Sequence, residues 1–332
     1  MTKKYDVYGL GNALVDFEFE VHAETLNQLK IEKGLMTLVD QERQTEILSH
    51  VGQSNHKRSC GGSAANTMIG LAQFGGNAFY SCKVANDDAG LFYYEDLKAN
   101  GVSTNLHPNT LTEGVTGKCL VLVTPDSERT MNTYLGITAE FSARELMEEE
   151  IIKAKYIYLE GYLVPNPEAV KACVMAKKIA REHGIKIAMT FSDVNMINYF
   201  NQQMTDLLEG GIDFLFANES EAYAYTKTND LADCVKEMKK IAKQFAITLG
   251  PKGALVFDGE VETHIETIAV NAVDANGAGD LFAGAVLYGL TNGMNLVDAA
   301  KMGCLSSSTL VTQFGARLRS EQVLKIKKSF VK

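Results

Sequence analysis

Two hydrophobic periods alternate along this chain. Residues 5–11 (YDVYGLG) form a short apolar run that reads as a buried first strand. Residues 63–75 (SAANTMIGLAQFG) place Ala65, Met68, Ile69 and Ala72 on one helix face and close on Gly75, a helix-ending signal. Residues 77–84 (NAFYSCKV) predict a strand, and 90–101 (GLFYYEDLKANG) a helix ended by Gly101. The rhythm continues with a strand at 155–161 (KYIYLEG) and a helix at 166–184 (NPEAVKACVMAKKIAREHG) ended by Gly184. Strands follow at 185–191 (IKIAMTF) and 213–218 (DFLFAN), then a helix at 231–245 (LADCVKEMKKIAKQF) and a strand at 246–250 (AITLG). Residues 277–293 and 295–315 predict two more helices.

Repeated strand–helix–strand units build a mostly parallel sheet covered by helices on both faces. The expected fold class is therefore α/β and doubly wound, with ligands at the carboxyl ends of the strands. Segments 16–40 and 114–136 break the rhythm. They are strand-rich and alternating, with no crossover helix between their strands, and predict a small β-sheet lid. Residues 1–15, 41–113 and 137–332 are left as the α/β core.

Composition narrows the function. The chain has 332 residues, 46% hydrophobic and 22% charged, with a net charge of −9. That size allows one large layered structure or two domains. The acidic balance disfavours a nucleic-acid binder, which needs a basic surface. Six cysteines (60, 82, 119, 173, 234, 304) include no C-x-x-C pair, so they read as small core residues and not as a zinc site. Asp6 interrupts the short apolar stretch after Lys3 and Lys4, unlike a signal peptide, and no apolar run approaches the ~18–20 residues of a membrane span. The expectation is a cytoplasmic protein.

The stretch "DANGAGDLFAGA" (274–285) sets Gly277, Ala278 and Gly279 directly before Asp280, at the first turn of an apolar helix. Free backbone N–H groups and the helix dipole favour an anion there, and glycines let it come close. A transferring phosphoryl group is the natural anion, with Asp280 as base for the attacking hydroxyl. An aspartate that merely favours the helix dipole explains Asp280 equally well in isolation.

Four further motifs have the same double reading. In "CGGSAANTMIG" (60–70), Gly61 and Gly62 precede a helix with Ser63 as a candidate N-cap and Asn66 in the first turn. They suit a sugar or nucleoside lying against backbone, or simply a tight capped turn. In "FANESEAYAY" (216–225), Asn218 and Glu221 stand three apart. They suit Mg²⁺ held through water, or a capping box. In "AITLGPKGALVF" (246–257), Thr248, Gly250 and Gly253 suit nucleotide phosphates or a Gly-Pro hairpin turn. "GLGNALVD" (9–16) has Leu14 where a dinucleotide fingerprint needs its third glycine. Asn12 and Asp16 remain as candidates for gripping a ribose. The P-loop pattern and the protein-kinase catalytic loop are both absent.

Taken together and in this order, the motifs resemble the ribokinase/PfkB family of carbohydrate and nucleoside kinases. "GGSAANTMIGLAQFGG" resembles its first signature and "DANGAGDLFAGA" its second, with "NESE" and "TLGPKG" between them. Within the family the likeness is nearest to adenosine kinases, including bacterial adenosine-kinase-like members, through "GNALVD", "GGSAAN" and "DANGAGD". The resemblance implies a ribokinase-like sheet with a β lid, ATP as donor and a Mg²⁺ requirement. Asp280 would be the base and Gly277, Ala278 and Gly279 the anion hole. Asn12, Asp16, Gly61, Gly62, Ser63 and Asn66 would bind the acceptor, and Arg129 would reach the phosphates from the lid. Asn218, Thr248, Gly250, Gly253 and Asn276 would line the ATP site, with Glu221 organising Mg²⁺.

Ala275 stands where the second signature usually has threonine, which leaves a monovalent-cation site open. "FSDVNMI" (191–197) lacks the D-x-N-x-R pattern of many sugar kinases of the family, which favours a nucleoside acceptor. The expected function is phosphorylation of adenosine to AMP by ATP. Alternatives are a fructokinase, a ribokinase, a kinase for another nucleoside, or a non-catalytic nucleotide-binding protein. The expected partners are small molecules only, with neither nucleic acid nor membrane, and the chain is expected to be a monomer or homodimer.

Overall fold

The structure is a computed structural model describing residues 3–34, 36–51, 57–125 and 128–330. In chain order its strands are β1 (Tyr5–Leu10), β2 (Leu14–Glu20), β3 (Met36–Leu38), β4 (Lys57–Gly61), β5 (Ala78–Ser81), β6 (Ser103–Thr104) and β7 (Gly117–Val123). Then come β8 (Arg129–Tyr134), β9 (Ala154–Glu160), β10 (Lys186–Thr190), β11 (Ile212–Asn218), β12 (Ala242–Thr248), β13 (Ala254–Phe257) and β14 (Glu262–Ile265).

The main sheet runs β14-β13-β12-β11-β10-β9-β1-β5-β6. It is parallel from β12 to β6, and β13 and β14 complete it antiparallel. Alternation along each strand sorts side chains to two faces. Leu10, Ile157, Leu159, Ile187 and Met189 pack with helix Pro167–Glu182, whereas Val7, Tyr156, Tyr158, Phe214 and Phe216 pack with helices Ser63–Gln73, Ala278–Thr291 and Leu296–Leu310. From β1 the chain builds outward through β5 and β6, then returns to β9 on the other side of β1 and builds the opposite way. This reversal opens a crevice beyond the carboxyl ends of β1 and β9.

Helices Ser63–Gln73 and Ala278–Thr291 pack closely against each other on one face of the sheet. A Cβ on Gly284 would lie 2.6 Å from the Thr67 carbonyl oxygen, so only glycine permits this approach. The consequence is that two distant motifs begin their helices side by side.

The second sheet runs β3-β8-β7-β2-β4. Segments 16–40 and 114–136 supply most of it, but β4, from a span expected in the core, pairs antiparallel with β2. Helix Gln41–Val51 joins the same layer: Ile47 packs with Phe19, Leu120 and Leu122 on the outer face. A short helix, Ala23–Gln28, also interrupts the strand-rich segment. The opposite face carries Asp16, Glu18 and Arg129 toward the crevice.

The predicted helix over 231–245 ends early, at Ile241, and Ala242 enters β12 at once. Pairing of Ile212 with Ala242 and Leu215 with Phe245 overrides the helical pattern of Lys243 and Gln244. All six cysteines are buried and unpaired. Among the described residues no helix is long and apolar enough to cross a membrane.

Candidate active site

Helix Ala278–Thr291 starts where Gly277 adopts a left-handed conformation, φ 73°. A Cβ there would meet the Ala316 side chain at 2.6 Å. The Ala278 N–H is taken by the Ala275 carbonyl, so of the three candidate anion-hole residues Ala278 has no amide left to offer. Gly279 and Asp280 lie in the first helical turn, where N–H groups have no intrahelical acceptor. Open space surrounds Gly279: nothing lies within 4 Å of where its Cβ would be.

Asp280 is the meeting point of two motifs. Ser63 Oγ donates to its Oδ1 at 2.6 Å, and Asn66 Nδ2 to its Oδ2 at 3.0 Å. Burial pushes the carboxyl up to about 6, and these two hydrogen bonds pull against that rise. Ser63 is not the N-cap expected from sequence. Gly62, φ 97°, occupies the cap, and Ser63 is the first helical residue, which frees its hydroxyl to turn toward Asp280. Among the described residues, Asn66 Oδ1 is buried with no hydrogen-bond partner.

Two cavities meet at Gly279. The larger, about 410 Å³, is lined by Thr248, Gly250, Gly253, Ile268, Val270, Ala275, Val311 and others, and is mainly apolar. The smaller, about 80 Å³, is lined by Ser63, Thr190, Ser192, Asn218, Glu221 and Asp280 among others. Gly279, Thr248 and Phe282 line both. The 248–253 segment is the tight turn that the Gly-Pro reading expected, between antiparallel β12 and β13, and it also walls the larger cavity. Asn218, expected on the ATP side, lines the smaller cavity. Asn276 lines neither, and its N–H donates to Asp274 Oδ1 at 2.9 Å. A third cavity of about 500 Å³ carries Glu18 and Glu20, which suit no anion.

Asn218 and Glu221 form a complete capping box. Glu221 N–H donates to Asn218 Oδ1 at 2.8 Å, and Asn218 N–H returns to Glu221 Oε2 at 3.0 Å. Asn218 Nδ2 adds a bond of 2.7 Å to Oε1. Burial nevertheless lifts Glu221 to about 7, opposed by the Asn218 N–H. Each carboxylate oxygen keeps a second lone pair. The described residues contain no cluster of three or more acidic, His or Cys side chains able to hold a metal directly. Such a donor set fits a hydrated Mg²⁺ bound mainly by phosphates.

On the side expected to hold the acceptor, the Asp16 carboxylate takes no hydrogen bond among the described residues and is raised to about 7 by burial, with Arg129 and Arg317 opposing. It abuts Gly61, where a Cβ would stand 2.2 Å from Asp16 Oδ1. Asn12 is already engaged: its Nδ2 donates to the Tyr162 carbonyl at 3.0 Å, and its Oδ1 accepts from Thr138 Oγ1 at 3.4 Å. Arg129, expected at the phosphates, pairs with Glu18 and lies 2.8 Å from Asp274 Oδ2. The guanidinium thus joins the small sheet to the loop at Asp274 through two charge-assisted contacts.

Sequence reasoning passed over Glu160. It ends β9, is 1% exposed, and accepts the Ala64 N–H at 2.8 Å. Burial lifts it to about 8, with the Ala64 N–H opposing. An acid directly after the apolar run Tyr156–Leu159, in "YLEG", was the available signal.

Residues 34–323 match the model of the pfkB family carbohydrate kinases. The chain belongs to this family. It is a phosphotransferase acting on hydroxyl groups, as the kinases similar to it are. A ribokinase of Staphylococcus aureus (strain COL) is 28% identical over 295 residues, covering 85% of this chain and 93% of that protein. Among solved structures, a probable sugar kinase from Rhizobium etli CFN 42 superposes with a TM-score of 0.90 at 34% identity, covering 99% of both chains. Adenosine kinase from Sinorhizobium meliloti superposes at 0.89 with 33% identity, covering 98% of this chain and 99% of its own. The pfkB-family fold, an α/β layer with a smaller second sheet, is thus the one observed.

Proposed function

We propose that this pfkB-family kinase transfers the γ-phosphoryl group of ATP to the 5′-hydroxyl of adenosine, giving ADP and AMP. The observation that carries the reading is the junction at Gly279. There a mainly apolar cavity sized for the nucleoside end of ATP joins a polar pocket holding Asp280. ATP would lie along Thr248, Gly250 and Gly253 with its phosphates toward Gly279. Asp280 takes the proton of the acceptor hydroxyl as its oxygen bonds to the γ-phosphorus. The bond from that phosphorus to the bridging oxygen breaks, and ADP leaves with the electron pair. The N–H groups of Gly279 and Asp280 face the charge that develops. Mg²⁺, when bound with ATP, neutralises phosphate charge, and Glu221 would hold it through water.

Two unmet polar groups support a hydroxyl-rich acceptor. Among the described residues, Asn66 Oδ1 is buried without a donor and the Asp16 carboxylate takes no hydrogen bond. A ribose diol supplies the donors that such groups need. The small sheet would act as a lid, with Arg129 exchanging Asp274 for phosphate and water being excluded.

A second reading is a sugar acceptor, favoured by the ribokinase and probable sugar kinase among the similar proteins. An ATP-consumption screen over nucleosides, ribose and fructose separates them. Adenosine should exceed ribose in kcat/KM by about tenfold or more, because the base adds apolar and stacking area. Ribose or fructose matching adenosine overturns the nucleoside reading and installs the second.

A further inference from the structure

Three consecutive residues near the end of the chain each touch a different part of the site. The Gly315 N–H donates to Asp274 Oδ2 at 2.9 Å, at the start of the loop leading to Gly277. The Ala316 side chain fills the space beside Gly277. Arg317 reaches the other way: Nη1 and Nη2 bond the two Asp96 oxygens at 3.1 and 2.7 Å, and Nη2 also donates to the Cys60 carbonyl at 3.0 Å. Asp96 Oδ2 in turn accepts the Cys60 N–H at 2.8 Å. One ion pair therefore holds both backbone polar groups of Cys60, immediately before Gly61 and Gly62. Tyr93, on the same helix as Asp96, donates its hydroxyl to the Gly61 carbonyl at 2.9 Å. Gly61 in its turn packs directly against the Asp16 carboxylate.

We infer that Arg317 is a positioning residue which, with Asp96, holds the acceptor-side strand end Cys60–Gly62 at a set distance from the phosphate-side loop 274–279. An exposed ion pair would contribute little, but these side chains are only 21% and 18% exposed and the contact is a two-pronged fork. The planar guanidinium transmits position as well as charge, which a lysine ammonium does not. Segment 315–317 thus acts as a strut between the two halves of the site. A change of about 1 Å in that spacing moves the attacking oxygen out of line with phosphorus and slows the reaction on the order of a hundredfold.

The inference rests on the kinase reading of the site, not on the identity of the acceptor. The test uses whichever acceptor the wild-type enzyme phosphorylates fastest, so an error over adenosine changes the substrate and leaves the test intact. Steady-state kinetics and melting temperatures are measured for Arg317→Ala, Arg317→Lys, Asp96→Ala and the double Arg317→Ala/Asp96→Ala variant. Arg317→Ala should lower kcat about ten- to a hundredfold and raise acceptor KM, while ATP KM stays within about twofold. Arg317→Lys should keep most of the melting temperature and still show the acceptor defect. The double variant should be no worse than the worse single one. A folded Arg317→Lys with kcat and acceptor KM both unchanged, or equal rises in both KM values, would overturn the inference. If Arg317→Ala does not fold, Arg317→Lys decides alone.

Discussion

The Ser63 hydroxyl donates a 2.6 Å hydrogen bond to Asp280 Oδ1, across 217 positions of chain. With Asn66 on the other oxygen, it aims the carboxylate while leaving a lone pair on each oxygen. Two glycine-rich motifs that look separate in the sequence are one device in the structure.

Asp280→Asn should lower kcat about 10²- to 10⁴-fold with the fold retained, since a proton acceptor is lost and the shape is kept. The ionised carboxylate is the active form, so wild-type kcat should rise with pH through about 6. Asn66→Ala removes a bond that holds the pKa down, and should move that limb to higher pH. Near-normal turnover in a folded Asp280→Asn protein contradicts the assignment.

Glu160 carries a stability cost with a definite sign. Its folded pKa is raised from 4.5 to about 8, so the neutral form is favoured in the native state. Its contribution to stability is present below about pH 4.5 and is lost as pH rises through about 8. Glu160→Gln keeps an oxygen for the Ala64 N–H and drops the titration. Its melting temperature relative to wild type should climb between pH 5 and pH 8.5. A difference that stays flat across that range refutes the buried-acid account.

Glu221→Gln separates capping from metal binding. Glutamine at the third helical position supports a capping box as glutamate does, so melting temperature should hardly change. The Mg²⁺ concentration for half-maximal rate should rise several-fold, because the charge is gone. An unaltered Mg²⁺ titration assigns Glu221 to the cap alone.

Gly61→Ala should reproduce much of Asp16→Asn. The new Cβ would stand 2.2 Å from Asp16 Oδ1, and the carboxylate is the mobile partner that gives way. Both variants should raise acceptor KM about tenfold or more and leave ATP binding near wild type, as fits the loss of a hydrogen bond to a charged group. Equilibrium ATP titration beside acceptor kinetics checks this. Weakened ATP binding with unchanged acceptor KM would place Asp16 on the donor side instead.

The alternating strands and helices were legible because burial imposes its period on each segment. The strand at 5–10, the helix at 63–73 and the helix beginning at Ala278 all follow from local hydrophobic spacing and glycine signals. The helix start that sets Gly277, Gly279 and Asp280 together was legible too, since small residues before an apolar helix are a local feature. Other outcomes depended on partners distant in sequence. Residues 242–245 became strand because β11 offered a paired edge. Ser63 left its expected cap because Gly62 took the left-handed turn and Asp280 stood within reach. Arg129 met Asp274 and Glu18, Glu160 met the Ala64 N–H, and Arg317 met Cys60 only once two sheets and the C-terminal loop had converged. Local pattern sets which face a side chain shows and what it can bond. The partner it finds is decided by packing, because hydrogen bonds and ion pairs act over a few ångströms of space whatever the separation along the chain.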